Sequence, residues 1–145
     1  MKRFLLTCVA LLAFTTTAFA YKVGDIIMVG GEMGIVYAVT SDGQHGKVMS
    51  VTRGGACSWE AAKQWCAQYG RGWRMPSKDE LLVIIRKRDV LYPILSANGY
   101  TTLCGRCWSS TEYDSDRAWY VYMDDGITGH YNKLEYGYVR AVSAF

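Results

Sequence analysis

Histidine and proline are scarce in this chain, no lipid-spanning apolar run occurs after residue 20, and neither sign of charge dominates. The two histidines, His45 and His130, sit in the Gly-rich contexts Gln44-His45-Gly46 and Gly129-His130-Tyr131. Neither is placed beside a serine or cysteine in a nucleophile–base arrangement, so both are read as exposed turn residues and not as bases. Two prolines, with no Pro-rich tract, low-complexity stretch or internal repeat, exclude a stiff linker or a repeat array. Spanning a bilayer takes about 20 apolar residues, which no segment beyond the N-terminus supplies. A nucleic-acid binder needs a basic excess to neutralise phosphates. Here 16 Lys and Arg face 13 Asp and Glu, which sets that class aside.

What is present points to a folded, exported domain. Half of the residues are hydrophobic, too many for a disordered chain. Lys2-Arg3, an apolar run from Phe4 to Phe14, and Ala18-Phe19-Ala20 have the order of a cleaved secretion signal. Cys8 lies inside the apolar run after Thr7, a poor lipoprotein site. The expected division is a signal peptide at 1–20 and one domain at 21–145. Without Lys2 and Arg3 the domain holds 14 basic and 13 acidic residues, a net charge of +1.

The first third reads as an antiparallel meander: Asp25–Val29, the turn Gly30-Gly31, Gly34–Val39, and Lys47–Val51 after a polar Gly/Asp cluster. The middle reads as two helices. Ser58 caps the first, whose Ala61, Ala62, Trp65, Cys66 and Tyr69 recur at helical spacing until Gly70 and Gly72. Ser77-Lys78-Asp79-Glu80 is a capping box that opens the second, with Leu81, Leu82, Ile84 and Ile85 as its apolar stripe. Arg86-Lys87-Arg88 are placed in its last turn, where cations suit the dipole. In the last third, Ala118–Met123 alternates, with Trp119, Val121 and Met123 on one face and Tyr120 and Tyr122 on the other. Asp124-Asp125-Gly126 marks a hairpin, Ile127–Lys133 the return strand, and Tyr138–Ala144 a final strand. Strands, helices, then strands again define an α+β fold.

Four cysteines follow the leader: Cys57, Cys66, Cys104 and Cys107. In an oxidising compartment the plain expectation is structural cross-linking. Cys57 and Cys66 are separated by helix, about 13 Å of rise against the roughly 7 Å a disulfide allows between Cα atoms, so that pairing ranks last. Either the two helix-side cysteines pair with Cys104 and Cys107, or Cys104-Gly105-Arg106-Cys107 closes a local loop. The Cys-x-x-Cys precedes a strand, not a helix N-terminus, which disfavours a redox enzyme. A four-cysteine zinc site lacks a second close pair.

Gly72-Trp73-Arg74-Met75-Pro76-Ser77-Lys78-Asp79-Glu80-Leu81, Trp108-Ser109-Ser110-Thr111-Glu112-Tyr113, Ala118-Trp119-Tyr120-Val121 and Tyr138-Val139-Arg140-Ala141-Val142, in this order, resemble the collagen-like-adhesin C-terminal domain family, also called the major paralogous domain group, over about residues 34–145. The resemblance implies a C-type-lectin-like fold, two helices on a twisted antiparallel sheet with an irregular exposed segment, and relatives among surface adhesins. Trp73 and Met75 are expected to seal the core, Pro76 to set the helix entrance, Arg74 to clamp carbonyls or a carboxylate, and Ser109, Ser110 and Thr111 to satisfy backbone groups. The Glu-Pro-Asn, Gln-Pro-Asp and Trp-Asn-Asp strings of calcium-dependent lectins are absent. No cofactor or metal is therefore expected; the less favoured alternative is a calcium cluster from Glu112, Asp114, Asp116 and Asp124-Asp125.

No catalytic set emerges, so the chain is read as a non-enzymatic recognition or adhesion-type domain, at the cell surface, in the periplasm or outside the cell. The Tyr-rich segment 113–138 supplies rigid amphipathic contacts for a glycan or protein. Tyr120, Tyr122 and Tyr138 are assigned to half-buried cross-strand packing. Tyr113, Asp114, Asp116, Arg117, His130, Tyr131 and Asn132 are assigned to ligand binding. The alternatives are a structural subunit of a surface or periplasmic assembly and, behind it, a Cys-dependent redox enzyme. The sequence leaves the oligomeric state open.

Overall fold

The computed structural model describes residues 19–103 and 105–145. The expected signal peptide lies outside them except for Phe19 and Ala20, and Cys104 lies outside them too. The fold is α+β. Strands β1 (Ile26–Val29), β2 (Glu32–Val39), β3 (Gly46–Ser50) and β4 (Gly54–Cys57) precede helices α1 (Trp59–Tyr69), α2 (Lys78–Arg86) and α3 (Arg88–Ala97). Strands β5 (Arg106–Glu112), β6 (Arg117–Tyr122), β7 (Thr128–Asn132), β8 (Gly137–Val139) and β9 (Val142–Ala144) follow. They form a four-stranded sheet in the order β1-β2-β3-β9 and a five-stranded one in the order β4-β8-β5-β6-β7. All neighbours pair antiparallel except β5 and β8, which run parallel.

The local signals act as expected. Ser58 accepts the Ala61 N–H, and the Ser77–Glu80 box closes in both directions, satisfying N–H groups the first turn leaves open. Trp73 and Met75 are buried, and Trp73 Nε1 donates to the Val29 carbonyl at 2.8 Å. Ser109 Oγ donates to Trp119 O at 2.7 Å and Thr111 Oγ1 accepts the Lys78 N–H at 3.0 Å.

Three expectations change. The helical region holds a third helix, because α2 stops at Lys87 and α3 begins at once; Arg88 opens α3 and binds the Asp124 carbonyl instead of ending α2. Pro93 lies inside α3 at a cost in backbone bonding, and the fully buried Leu91 and Leu95 hold the helix in place. The single strand expected at 138–144 is two strands in different sheets, β8 and β9. The chain crosses between them at Arg140-Ala141, where the 3 % exposed Arg140 donates to the carbonyls of Ser50, Val51, Thr101 and Thr102. Finally, β4 adds an edge strand that two glycines concealed from pattern reading.

The core has two parts. One gathers Ile35, Met49, Leu81, Ile84, Leu91, Leu95, Cys107 and Val121 beneath α2 and α3. The other gathers Val36, Trp59, Cys66, Trp73, Trp108 and Val139 beneath α1. Cys107 and Trp108 are adjacent on β5 and enter opposite clusters, so this strand is buried on both faces. At the far end of the second sheet, β7 has a neighbour on one side only.

Candidate functional site

The hairpin of β6 and β7 carries the aromatic residues, and alternation sorts them onto two faces. In its register Trp119 pairs with His130, Ala118 with Tyr131, and Tyr120 with Gly129. Trp119 and His130 therefore share one face, and Tyr120 and Tyr131 the other. On the first face the Tyr113 ring stacks on His130 with centroids 3.8 Å apart, and Trp119 meets both edge-on at 5.4 and 5.5 Å. Lys78 Nζ sits 4.2 Å above the Trp119 ring and Arg117 lies 4.6 Å from the Tyr113 centroid. The result is an aromatic platform bordered by two cations. Tyr113 is 47 % exposed, and Trp119 and His130 are half-buried.

The platform stands on the loop between β5 and β6. Asp114 Oδ1 accepts the N–H groups of Asp116 and Arg117 at 2.9 and 2.8 Å, and Oδ2 takes the Arg117 guanidinium at 2.8 and 2.6 Å. The hydrogen bonds from Arg117 draw the Asp114 carboxyl below its ordinary range. Asp114 and Arg117 thus serve each other and shape the turn, while Tyr113 is held outward beside it. On the loop's other flank Lys133 Nζ donates to Glu112 Oε1 at 2.6 Å and to Ser115 O at 2.9 Å, and lies 4.5 Å from the Trp59 ring centroid. Its backbone N–H donates to Asp116 O, and its carbonyl accepts from Trp59. One residue at β7's outer end therefore ties the loop, the hairpin and the start of α1 together. Sequence reading passed over Lys133, whose partners are distant along the chain. Its basic type, isolated among Tyr and Asn, was the available sign. A cavity of about 410 Å³ beside it is lined by Ser58, Trp59, Glu60, Lys63, Glu112, Ser115, Lys133 and Leu134.

The seven residues assigned to binding do not form one surface. Tyr113, Arg117 and His130 come together. His130 is a half-buried strand residue clasped by two rings, not an exposed turn histidine, and its Nδ1 is buried without a hydrogen-bond partner among the described residues. Tyr131 belongs to the opposite face, where Arg106 lies 4.1 Å from its ring centroid and Tyr120 packs edge-on. The Asn132 side chain accepts the Leu134 N–H at 2.9 Å and forms a turn. Asp116 is exposed on the loop. Tyr120, Tyr122 and Tyr138 are half-buried, as their cross-strand assignment requires.

Glu112 and Asp114 are each taken by a basic side chain. Among the described residues no three of His, Cys, Asp and Glu converge as a metal site would need. Cys57, Cys66 and Cys107 are free thiols in the structure, and no disulfide joins them. Of the two strongly buried thiols, Cys66 packs in one core cluster and Cys107 in the other. Burial pushes the Cys66 thiol up and raises Cys107 to about 11, and it also raises Cys57. A reactive cysteine needs the opposite shift.

No helix among the described residues is long and apolar enough to cross a membrane. No curated protein matches the chain. The family model for the Lcl C-terminal domain matches residues 35–143, a span that runs from the middle of β2 into β9 and takes in the whole platform, and the chain belongs to that family.

Proposed function

We infer that this protein is an exported, non-catalytic recognition domain of adhesion type that contacts a glycan or protein through the Tyr113–Trp119–His130 platform. The observation that carries the reading is the exposed tyrosine stacked at 3.8 Å on a strand histidine and backed by a tryptophan. Flat rings held rigid offer contact area with little entropy to lose, and they stack on sugar rings as readily as on peptide side chains. Membership of the Lcl C-terminal domain family supports an adhesion role, and it is not known as a family of enzymes. The arrangement of two antiparallel-rich sheets with helices packed on them fits the C-type-lectin-like scaffold that the sequence resemblance implies. The leader-like residues 1–20 support export.

A glycan and matrix-protein array, read with the chain from Tyr21 onward, tests this. Binding that falls at least tenfold in Tyr113→Ala and in Trp119→Ala, with melting temperature held in the first, is the expected result. Folded protein that binds nothing, or binds equally well in both variants, rejects it.

A further inference from the structure

A cavity of about 390 Å³ lies at the C-terminal end of α1, lined by Glu32, Thr52, Trp65, Gln68 and Tyr69. Its size is that of a small-ligand site. Trp65 and Tyr69 stand one turn apart on the helix with ring centroids 5.3 Å apart. Glycines seat both the rings and the acid. The Trp65 ring packs on Gly54, where a Cβ would come within 3.0 Å of it, and the Glu32 stem packs on Gly70, where a Cβ would lie 3.0 Å from its Cγ. The Tyr69 hydroxyl donates to Met33 O at 2.8 Å, which ties the end of α1 to β2 beside Glu32. Burial raises that hydroxyl, and the charge of Glu32 adds to the rise.

Three observations agree on the charge that suits this cavity. Glu32 is exposed, and no base pairs with it among the described residues. The rings of Trp59, Tyr113, Trp119, Tyr131 and Tyr138 each carry a lysine or arginine of the chain over one face. Among the described residues none lies over Trp65 or Tyr69. Finally, α1 has no basic residue in its last turn, whereas α2 has Arg86. A bare carboxylate, two open ring faces and the negative end of a helix all attract a cation. The acceptors narrow the class further. Glu32, the Gln68 amide oxygen and the Thr52 hydroxyl offer oxygens to the three N–H donors of a primary ammonium; a quaternary amine has no such donors. A metal ion would need several converging carboxylates or similar ligands, and no such group forms among the described residues.

We propose that this cavity binds a primary alkylammonium group, held by the Glu32 carboxylate and the faces of Trp65 and Tyr69. Lysine side chains and amino sugars both present that group. The cavity shares no residue with the Tyr113–Trp119–His130 platform, so the two sites stand or fall separately.

An NMR titration of the chain from Tyr21 onward tests it, with Nα-acetyl-lysine amide in one arm and glucosamine in the other. Their N-acetylated forms, which lack the charge, are the controls. Saturable shifts of the Trp65 indole N–H and the Gln68 side-chain amide are expected with at least one amine and with neither control. The arm that responds tells a protein ligand from an amino-sugar one. Binding weakens as salt is added. Glu32→Gln, at an exposed position, raises the dissociation constant about tenfold with the melting temperature unchanged. Gln68→Lys places an ammonium of the chain itself three residues from Trp65 and abolishes binding, with the melting temperature held or raised. The proposal is overturned if neither amine moves these signals, if the acetylated forms move them equally, or if Glu32→Gln binds as the parent does. Platform binding that persists in Glu32→Gln leaves the recognition reading standing in each case.

Discussion

Two arginine–carboxylate pairs in this molecule use the same chemistry for different ends. Glu80 takes both nitrogens of Arg74 at 2.7 and 2.8 Å, Lys47 at 3.2 Å and the Ser77 N–H at 3.1 Å, with the Tyr37 hydroxyl at 3.4 Å. It thereby binds the first sheet to the entrance of α2, and its side chain is 12 % exposed. Asp114 takes Arg117 and two N–H groups, all within the four residues of one exposed turn. The first pair, though six residues apart in the chain, is tied through Lys47 and Tyr37 to strands 33 and 43 residues away and belongs to the frame; the second shapes only its own loop. An ion pair's contribution follows from what it connects and how much water it excludes. The frame can therefore be rigid while the platform end varies at little cost to folding.

Breaking the frame at its most buried charge should have the largest effect. Arg140→Met leaves four carbonyls without their donor, and a loss of about 3–5 kcal/mol is expected in urea unfolding. Next comes Glu80→Gln, with an expected loss of about 1–2 kcal/mol, kept modest because Arg74 and Lys47 are half in water. Burial alone would raise the Glu80 carboxyl. Hydrogen bonds from Arg74 and from Ser77 N–H, with the charge of Arg74, outweigh burial and lower it from an ordinary 4.5 to about 2. A depressed carboxyl contributes stability that is whole above its unfolded value and is lost as pH falls. The native protein should therefore weaken between pH 4.5 and about 2, and Glu80→Gln should flatten that part of a stability–pH curve. If the curves run parallel, Glu80 is not the frame's acid-sensitive link.

Lys133→Met sharpens the boundary between the two regions. A loss of about 1 kcal/mol is expected, with faster amide exchange confined to residues 112–117 and weaker platform binding. Exchange that spreads into the sheets would move Lys133 into the frame. Asp114→Asn should do least: the amide oxygen still accepts both N–H groups, so the melting temperature should hold, and a clear drop would contradict the contrast drawn above.

The sequence disclosed what is decided within a few residues. Ser58 and Ser77 announced their helices because a cap bonds three positions ahead. Asp124-Asp125-Gly126 announced the hairpin, and alternation placed Val121 and Met123 inside. What it hid depends on distant partners. Lys133 acquires its role from Glu112, Ser115 and Trp59, and β8 and β9 separate because Arg140 finds carbonyls some forty and ninety residues away. The division of the binding residues was partly legible: once residues 128–132 are a strand, His130 and Tyr131 must face opposite ways. Reading His130 as a turn residue, although Ile127–Lys133 was also read as the return strand, obscured it. The expected cysteine cross-link is a separate matter: Cys57, Cys66 and Cys107 are free thiols in the structure, and Cys104, a member of both favoured arrangements, lies outside the described residues.

The position of β8 has a consequence for how the molecule is made. This strand lies between β4 and β5, so the two parts of the larger sheet have no bridge until residue 139 has been synthesised, and the smaller sheet gains its edge strand β9 later still. Such late, sequence-distant pairing slows closure. A chain still being synthesised therefore keeps β4 apart from β5, β6 and β7 until almost its last strand is complete, and tertiary structure locks late.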